Sequence, residues 1–523
     1  MNTNGNFTMG LIQNKTLENI LILLIAISTA LFLLEGNLNA TWWLIDDYGI
    51  IDLIGENKKI NFFDISQILL QETEAGQWGE SQRYRPVYYL LRIIEAYSWG
   101  YDLSLWYSFR IFIFALFLYS VMWILKDIVG FFYTLLFVLL MLSTHYLHDI
   151  FAKLGPSEAY SIFGLSLYMI GVKIYFKYKQ NLKIFAVMLV FFGAVILIGS
   201  KENMLFIAII SIYRIMFNWN KIFLIEKFLH IFIILFSFFI ALSIIIALSS
   251  VGTDIYANDV SLLYRLGVMF DKSLLAIIQL KMIIFIPIIL FLYIKYFNTK
   301  ILKHNLFKNF IIITIFAFIF YIGQVVFYNG QVLTNSRYDF PLLLIKEAYI
   351  FISLFFIFNI IYLINNNKFL LNIAFSASLL ILVPFSYSEL LFLKITSNEN
   401  AIKTQQKNSE IINISKIALK YPQYPIIFES HHAVRDFEAI NAVQKYLHFY
   451  NAQNNIFLHT NYTKSNDALW VLLSKLLMAS SLEGNGEWNI KPLKNLIVHD
   501  KKCISVSFSS DASNSCLIKY RIW

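Results

Sequence analysis

The sequence predicts a polytopic α-helical membrane protein that carries a small α/β domain at its C-terminal end. Of the 523 residues, 58% are hydrophobic and only 14% are charged, whereas soluble globular chains carry roughly a quarter charged residues. Apolar runs of about 18 or more residues recur along most of the chain, and each is long enough to cross roughly 30 Å of hydrocarbon. From about residue 391 onwards the chain becomes polar.

Hydropathy predicts eleven membrane spans, of which the two around Lys201 barely fill two crossings. The spans are placed at 17–36, 105–125, 129–147, 157–176, 183–200, 202–218, 228–250, 274–295, 309–328, 341–363 and 369–390. The first run follows a single lysine and has no small-residue cleavage site after it. It is predicted to be a signal anchor, and a cleaved signal peptide is the alternative.

Basic residues fall in alternate loops between the predicted spans, and the positive-inside rule makes those loops cytoplasmic. The net charge of +9 therefore predicts an orientation rather than nucleic-acid binding. The residues are Lys126, Lys173, Lys177, Lys179, Lys183, Arg214, Lys221, Lys227, Lys295, Lys300, Lys303, Lys308 and Lys368. With eleven spans, the N-terminus is expected in the cytoplasm and residues 391–523 are expected outside it.

Two polar regions lie outside the predicted spans. The first extracytoplasmic loop, 37–104, is far longer than a turn requires, and helix-like apolar spacing appears at 64–76 and 85–99. In the C-terminal region, strands are predicted at 425–428 and 455–459, helices at 436–450 and 467–481, and two strands around the cysteines. This alternation is typical of a small α/β domain, so the chain divides at 390 into a membrane module and a C-terminal domain.

The only cysteines, Cys503 and Cys516, lie in short β-prone stretches separated by a polar turn. An extracytoplasmic position predicts a hairpin disulfide between them, and two free thiols are the alternative.

An acidic pair, Asp46 and Asp47, opens the long first loop directly after Trp42 and Trp43. Carboxylates this close to a membrane span are costly without a cation or a proton partner, and such pairs act as general bases or bind metal. A solvated loop cap is the alternative.

Further along the loop, Arg85 follows Arg83 among tyrosines, and guanidinium groups can hold a lipid phosphate in a bidentate manner. Ordinary anchoring to anionic headgroups is the alternative.

Further charged residues gather in the other loops on the same side of the membrane. His145, His148 and Asp149 form a candidate divalent-metal site, with ordinary interfacial histidines as the alternative. The remaining candidates are Glu158 after a Gly-Pro-Ser start, the ionisable pair Lys201-Glu202, and Arg337-Tyr338 ahead of Pro341. Because every candidate falls on one side, the sequence predicts an extracytoplasmic site that handles an anionic lipid.

The order of these motifs resembles the GT-C superfamily of membrane glycosyltransferases, which includes protein O-mannosyltransferases and lipid A aminoarabinose transferases. Asp46-Asp47 is similar to the acidic signature of their first loop, and the helices at 64–99 are similar to their juxtamembrane pair. Lys201-Glu202 is similar to the "KE" element after the fifth span, and Arg337-Tyr338 to the "RY..P" element before a late span. The resemblance covers residues 17–390.

The resemblance implies an inverting transfer of a hexose or pentose from a polyprenyl-phosphate donor at the outer face of a bacterial plasma membrane. Asp46, with Asp47 second, is expected to be the general base. Arg85, Lys201 and Arg337, with Tyr338, are expected to bind the donor phosphate, and Asp149, Glu158 and Glu202 are further candidates. The resemblance implies no definite cofactor; some relatives use a divalent metal, for which Asp149 and Glu158 are the candidate ligands here.

The expected acceptor is a cell-surface glycan such as O-antigen or teichoic acid, or another lipid-linked acceptor, with protein as the alternative.

A flippase or transporter of lipid-linked glycans is a different class of function. That function predicts internal repeats and charges deep within spans, and neither is seen. A glycan polymerase or ligase is the second enzymatic alternative, but its long loop typically comes late in the chain. A purely structural membrane protein leaves the acidic pair unexplained.

Overall fold

The computed structural model describes residues 15–55, 58–71, 73, 84–177, 182–251, 262–296, 305–327, 337–365, 368–383, 385–430, 436–459, 491–492, 502–510 and 516–522. The first helices are α1 (Lys15–Leu34), α2 (Tyr48–Ile54), α3 (Ile65–Gln71), α4 (Pro86–Trp99), α5 (Leu103–Val129), α6 (Phe131–Leu142), α7 (Tyr146–Phe151), α8 (Ser157–Lys177) and α9 (Lys183–Ser200). They are followed by α10 (Ala208–Asn218), α11 (Leu224–Val251), α12 (Leu262–Gln279), α13 (Met282–Tyr296), α14 (Asn305–Phe327), α15 (Leu342–Asn365), α16 (Lys368–Leu382), α17 (Tyr387–Lys420) and α18 (Phe437–Phe449). The strands are β1 (Ile426–Ser430), β2 (Ile456–His459), β3 (Lys491–Pro492), β4 (Ile504–Ser510) and β5 (Cys516–Ile522).

The chain is a polytopic, membrane-embedded helical protein, but the expectation of eleven full spans is wrong. Among the residues described, seven helices are long and apolar enough to cross a membrane, or nine if two bent helix pairs each count as one span. The longest helices within the predicted spans 129–147 and 202–218 are α6, with 12 residues, and α10, with 11. At 1.5 Å per residue these helices reach about 16 to 18 Å, against a hydrocarbon core of roughly 30 Å.

Hydropathy windows count apolar residues and do not detect where a helix stops. Gly130 and Ser143 bound α6, and a 3-10 segment, Glu202–Ile207, takes up the first part of the other predicted span. Apolar composition alone therefore overestimates the number of complete crossings.

Ion pairs mark one end of the helix bundle, which we call the lysine-rich end. They include Lys126–Glu18 at 3.3 Å, Lys173–Asp127 at 2.6 Å and Arg214–Glu226 at 3.0 Å. α8 runs from Glu158 at the opposite end to Lys177 at this one. This end thus gathers four of the basic residues used in the positive-inside argument, Lys126, Lys173, Lys177 and Arg214, while the loops with the acidic and arginine motifs lie at the other.

The C-terminal strands form a five-stranded sheet in the order β3-β2-β1-β4-β5. β1 pairs in parallel with both β2 and β4, and β5 returns antiparallel to β4. The predicted strands and the predicted helix at 436–450 are confirmed, and the first-loop helix at 85–99 is confirmed as α4. The predicted helix at 467–481 lies outside the described residues, while α3 covers the first part of the helix expected at 64–76.

The expected disulfide between Cys503 and Cys516 is wrong. The hairpin register pairs Ile504 with Ile522 and Ser510 with Cys516, so the two cysteines lie at opposite ends of the hairpin. Cys503 lies seven residue steps from Ser510, the partner of Cys516, and these steps span about 23 Å, whereas a disulfide needs Cα atoms within about 7 Å. Cys503 is accordingly a free, buried thiol. The sequence shows two strands and a turn, but the register that separates the cysteines is set by the pairing itself.

The C-terminal domain is tied to the first loop by buried polar contacts. Lys445 of α18 forms a 3.0 Å ion pair with Asp52 of α2, and the Tyr446 hydroxyl donates to the Trp43 carbonyl at 2.8 Å. In α17, Asn400 donates to the Asn37 side chain at 2.8 Å. These contacts hold the segments on both sides of the acidic pair against α17 and α18.

Replacing Tyr446 with Phe is expected to destabilise the protein by about 1 kcal/mol, because it removes one hydrogen bond and keeps the ring. Thermal unfolding of the purified protein in detergent should show the loss. Tyr424→Phe is the matched control, since the Tyr424 ring stacks on Tyr421 and no hydrogen bond from its hydroxyl is described. Equal unfolding temperatures for wild type and Tyr446→Phe would show that this contact does not hold the loop.

Candidate active site

A polar cavity lies at the end of the bundle opposite the lysine-rich end. Including its open mouth, it has a volume of about 630 Å³. Six segments meet there: the loop after α1, the start of α4, the turn before α8, the end of α9, the turn before α15 and the start of α18. The charged residues that line it are Asp46, Arg85, Arg92, Glu158, Lys201, Arg337 and Glu438.

Asp46 lies at the centre of the charged contacts. Its carboxylate accepts two hydrogen bonds from the Arg337 guanidinium, at 3.0 and 3.1 Å, and one from Lys153 Nζ at 3.1 Å. Burial by itself would raise the pKa of Asp46, but Arg337 and Lys153 hold that pKa well below its usual range. The carboxylate is therefore ionised and shared between two cations that come from separate loops.

The backbone around Asp46 is held in an uncommon conformation. Its φ angle is +75°, a region in which Asp and Asn are enriched among non-glycine residues. The Asp46 carbonyl accepts a 3.0 Å hydrogen bond from Arg92, and Gly155 packs so closely that an added Cβ would come within 2.4 Å of that oxygen. This conformation turns neighbouring carboxylates in different directions.

Asp47 points into the protein and is fully buried. One oxygen accepts from the backbone N–H groups of Leu154 and Gly155, at 3.1 and 2.8 Å, and the other accepts from Trp43 at 2.9 Å. Burial, together with the charge of Asp46, outweighs these donors and raises the pKa of Asp47 to about 6. With its oxygens committed to three backbone groups, Asp47 joins the first loop to the turn before α8, and Asp46 alone of the pair lines the cavity.

A second ion pair stands beside the first. Lys201, which ends α9, donates to Glu158 at 2.8 Å, and both side chains are buried. The Lys201 ammonium and the Arg337 guanidinium approach the ring of Tyr338, at 5.3 and 5.4 Å from its centroid. The sequence elements Lys201-Glu202 and Arg337-Tyr338 are thereby brought together, although Glu202 itself lies in the following 3-10 segment and is not among the residues lining the cavity.

Arg85 and Arg92 supply positive charge from the first loop. Both are nearly buried, and their guanidinium carbons lie 5.2 and 4.9 Å from the ring centroid of Tyr88. The Tyr88 hydroxyl donates to the Gly155 carbonyl at 2.7 Å, which fixes the ring. The cavity wall thus carries four cationic side chains against three carboxylates, and guanidinium and ammonium groups are the ones that bind an anionic group such as phosphate.

Asp149 and the two histidines lie beside the cavity and brace its wall. Asp149 accepts a 3.3 Å hydrogen bond from the Arg337 backbone, and His145 Nε2 lies 2.8 Å from an Asp339 oxygen. His148 packs against the Phe392 ring. Within the part of the chain that the structure describes, no group of three or more His, Cys, Asp or Glu side chains could hold a metal ion. Asp149 and Glu158 bind protein groups instead.

Sequence reasoning missed Lys153, Arg92 and a buried network around Arg110. Arg110 makes two 3.1 Å hydrogen bonds to Glu95, and also donates to the Leu154 carbonyl at 3.2 Å. It braces the same turn that binds Asp47. An arginine within a hydrophobic span is a functional candidate by default, so Arg110 carried a usable signal, whereas Lys153 acquires its role only through the fold.

Comparison with known proteins gives no match, whether with family models, curated proteins or solved structures. The cavity and the order of the motifs are therefore the features that bear on function.

Proposed function

We propose that this protein is an inverting glycosyltransferase that moves a sugar from a polyprenyl-phosphate donor to a hydroxyl group of a cell-surface glycan or lipid-linked acceptor. The main support is that the Asp46 carboxylate forms ion pairs with Arg337 and Lys153, at 3.0 to 3.1 Å. Asp46 and Arg337 lie in a cavity that Lys201 and Arg85 also line. A carboxylate and several cations in one cavity at a bundle end match the two needs of this transfer.

In the proposed transfer, Asp46 is the general base and the cationic side chains stabilise the leaving phosphate. The acceptor hydroxyl gives its proton to Asp46 as its oxygen attacks the anomeric carbon from the side opposite the phosphate. The bond between the anomeric carbon and the phosphate oxygen breaks, and its electron pair stays on the phosphate. Arg337, Lys201 and Arg85 stabilise the charge on that leaving group. The prenyl tail lies along the apolar helices, whose outward faces carry many exposed large hydrophobic side chains.

The proposed orientation places the cavity outside the cytoplasm of a bacterial cell. Its support is the gathering of basic residues at the opposite end of the bundle, as the positive-inside rule requires of the cytoplasmic face. Alkaline phosphatase fused after Ala401 is expected to be active, and a fluorescent protein at the same point is expected to stay dark. The reverse pair of results would contradict the orientation.

The function is tested with the full chain in proteoliposomes loaded with undecaprenyl-phosphate-linked pentoses and hexoses. Release of undecaprenyl phosphate that depends on both the protein and an added glycan acceptor is expected for at least one sugar. Movement of an intact fluorescent donor across the bilayer without release would favour the flippase alternative. If the protein neither releases nor binds undecaprenyl phosphate, the proposal is overturned.

A further inference from the structure

The Arg337 guanidinium, which the proposed function gives to the donor phosphate, is bonded to Asp46 in the structure. Nη1 donates to Oδ2 at 3.0 Å and Nη2 donates to Oδ1 at 3.1 Å, which makes the contact bidentate. This paired geometry is the one in which a guanidinium recognises two phosphate oxygens. Asp46 and a phosphate therefore present the same kind of acceptor to the same donor edge.

The ion pair also holds the proposed base in a weakly basic form. General-base catalysis is most effective when the pKa of the base lies near the working pH. Although burial favours the neutral acid, Arg337 and Lys153 depress the pKa of Asp46 far below that range. A change that withdraws Arg337 from the carboxylate would raise its proton affinity.

Arg337 has other contacts that would keep its guanidinium in the cavity if its ion pair with Asp46 were broken. It lies against Tyr338 and within electrostatic reach of Glu158, the partner of Lys201. A phosphate between Arg337 and Lys201 would thus contact two cations that lie 5.4 and 5.3 Å from the centroid of the Tyr338 ring. Lys153 would remain beside Asp46, since its ammonium is held 5.5 Å from the Trp43 ring centroid.

The exchange requires little movement. The side chains of Asp46 and Arg337 retain 20% and 18% of their exposure, so both reach the cavity. The Asp46 backbone, in contrast, is fixed by Arg92 and by the close packing of Gly155. Rotation of side chains alone can separate the pair.

We infer that the donor phosphate displaces Asp46 from Arg337, so that the event that anchors the donor also frees the base. The inference rests on the proposed function and adds an order to it: donor first, then deprotonation of the acceptor. It predicts that Asp46 opposes donor binding, although it is the residue on which the chemistry depends.

The test measures binding of undecaprenyl phosphate to the full chain in phosphatidylcholine nanodiscs. Asp46→Asn is expected to bind at least about fivefold more tightly than wild type, because a competing, partly screened ion pair is lost. Asp46→Gly is the second variant. Both substitutions suit the φ of +75° at this position, so the backbone can keep its conformation.

Asp64→Asn is the matched control, because Asp64 lies in the same loop and is bonded only to Asn61 in the described contacts. Its affinity should equal that of wild type. Inorganic phosphate, added as competitor, separates headgroup recognition from tail recognition. For Asp46→Asn, inorganic phosphate is expected to displace undecaprenyl phosphate at a lower concentration than it displaces a spin-labelled phosphatidylcholine, which serves as the tail-binding control.

The outcomes separate the inference from the proposed function. Equal or weaker binding by both Asp46 variants, with binding by wild type intact, would overturn the displacement and leave the glycosyltransferase proposal standing. No binding by wild type would overturn the proposed function itself. Tighter binding by both variants but not by Asp64→Asn would support the exchange.

Discussion

Replacing Asp46 with Asn is expected to lower turnover of the lipid-linked sugar by at least about a hundredfold, the usual contribution of a general base. Asn keeps the shape of the side chain, and its amide oxygen can still accept a hydrogen bond from Arg337. It cannot take up the acceptor proton. The substitution also suits the positive φ at this position, so loss of activity should not arise from unfolding. The readout is release of undecaprenyl phosphate in proteoliposomes.

Donor binding provides the internal control for this variant. Asp46→Asn should bind undecaprenyl phosphate at least as well as wild type while its turnover collapses, a combination that a misfolded protein cannot produce. Asp64→Asn should retain full turnover. If folded Asp46→Asn turns over at a near-normal rate, the proton goes elsewhere, and Asp47 or Asp149 becomes the next candidate.

Replacing Arg337 with Ala is expected to lower kcat/KM by about 10²- to 10³-fold, because negative charge grows on the leaving phosphate as the bond breaks. Donor affinity should also fall, by about 2 kcal/mol for a lost charge-assisted contact. Asp46 would lose its bidentate partner at the same time, so the variant changes phosphate stabilisation and the state of the base together. The measurement is the concentration dependence of undecaprenyl phosphate release.

Arg337→Lys is the graded control for this position. Lysine keeps the charge but loses the paired donors, so its kcat/KM should fall between those of wild type and Arg337→Ala. Lys403→Ala removes a cation from the exposed surface of α17 and should change nothing. A kcat/KM within about threefold of wild type for Arg337→Ala would exclude Arg337 as a partner of the leaving group.

Part of the site could be read from the sequence because each motif lies at the edge of an apolar run. The acidic pair, Lys201 and Arg337 all stand where a hydrophobic stretch meets a loop, and polar residues at such edges attract notice. Sequence could not separate Asp46 from Asp47. The difference lies in backbone direction: a φ of +75° turns Asp46 to the cavity, while Asp47 accepts from the nearby N–H of Trp43 and from the N–H groups of Leu154 and Gly155 in a distant turn.

By itself, the sequence determined the membrane-embedded helical class, the end of the bundle that gathers lysines, and the β/α alternation of the C-terminal region. These follow from apolar length, charge and local periodicity, which are properties of neighbouring residues. The tertiary structure alone decided the number of complete spans, the strand register that separates Cys503 from Cys516, and the joining of Asp46, Lys153 and Arg337. Each of these depends on where a helix ends or on contacts between residues far apart in the chain, and such contacts form only when the apolar helices pack.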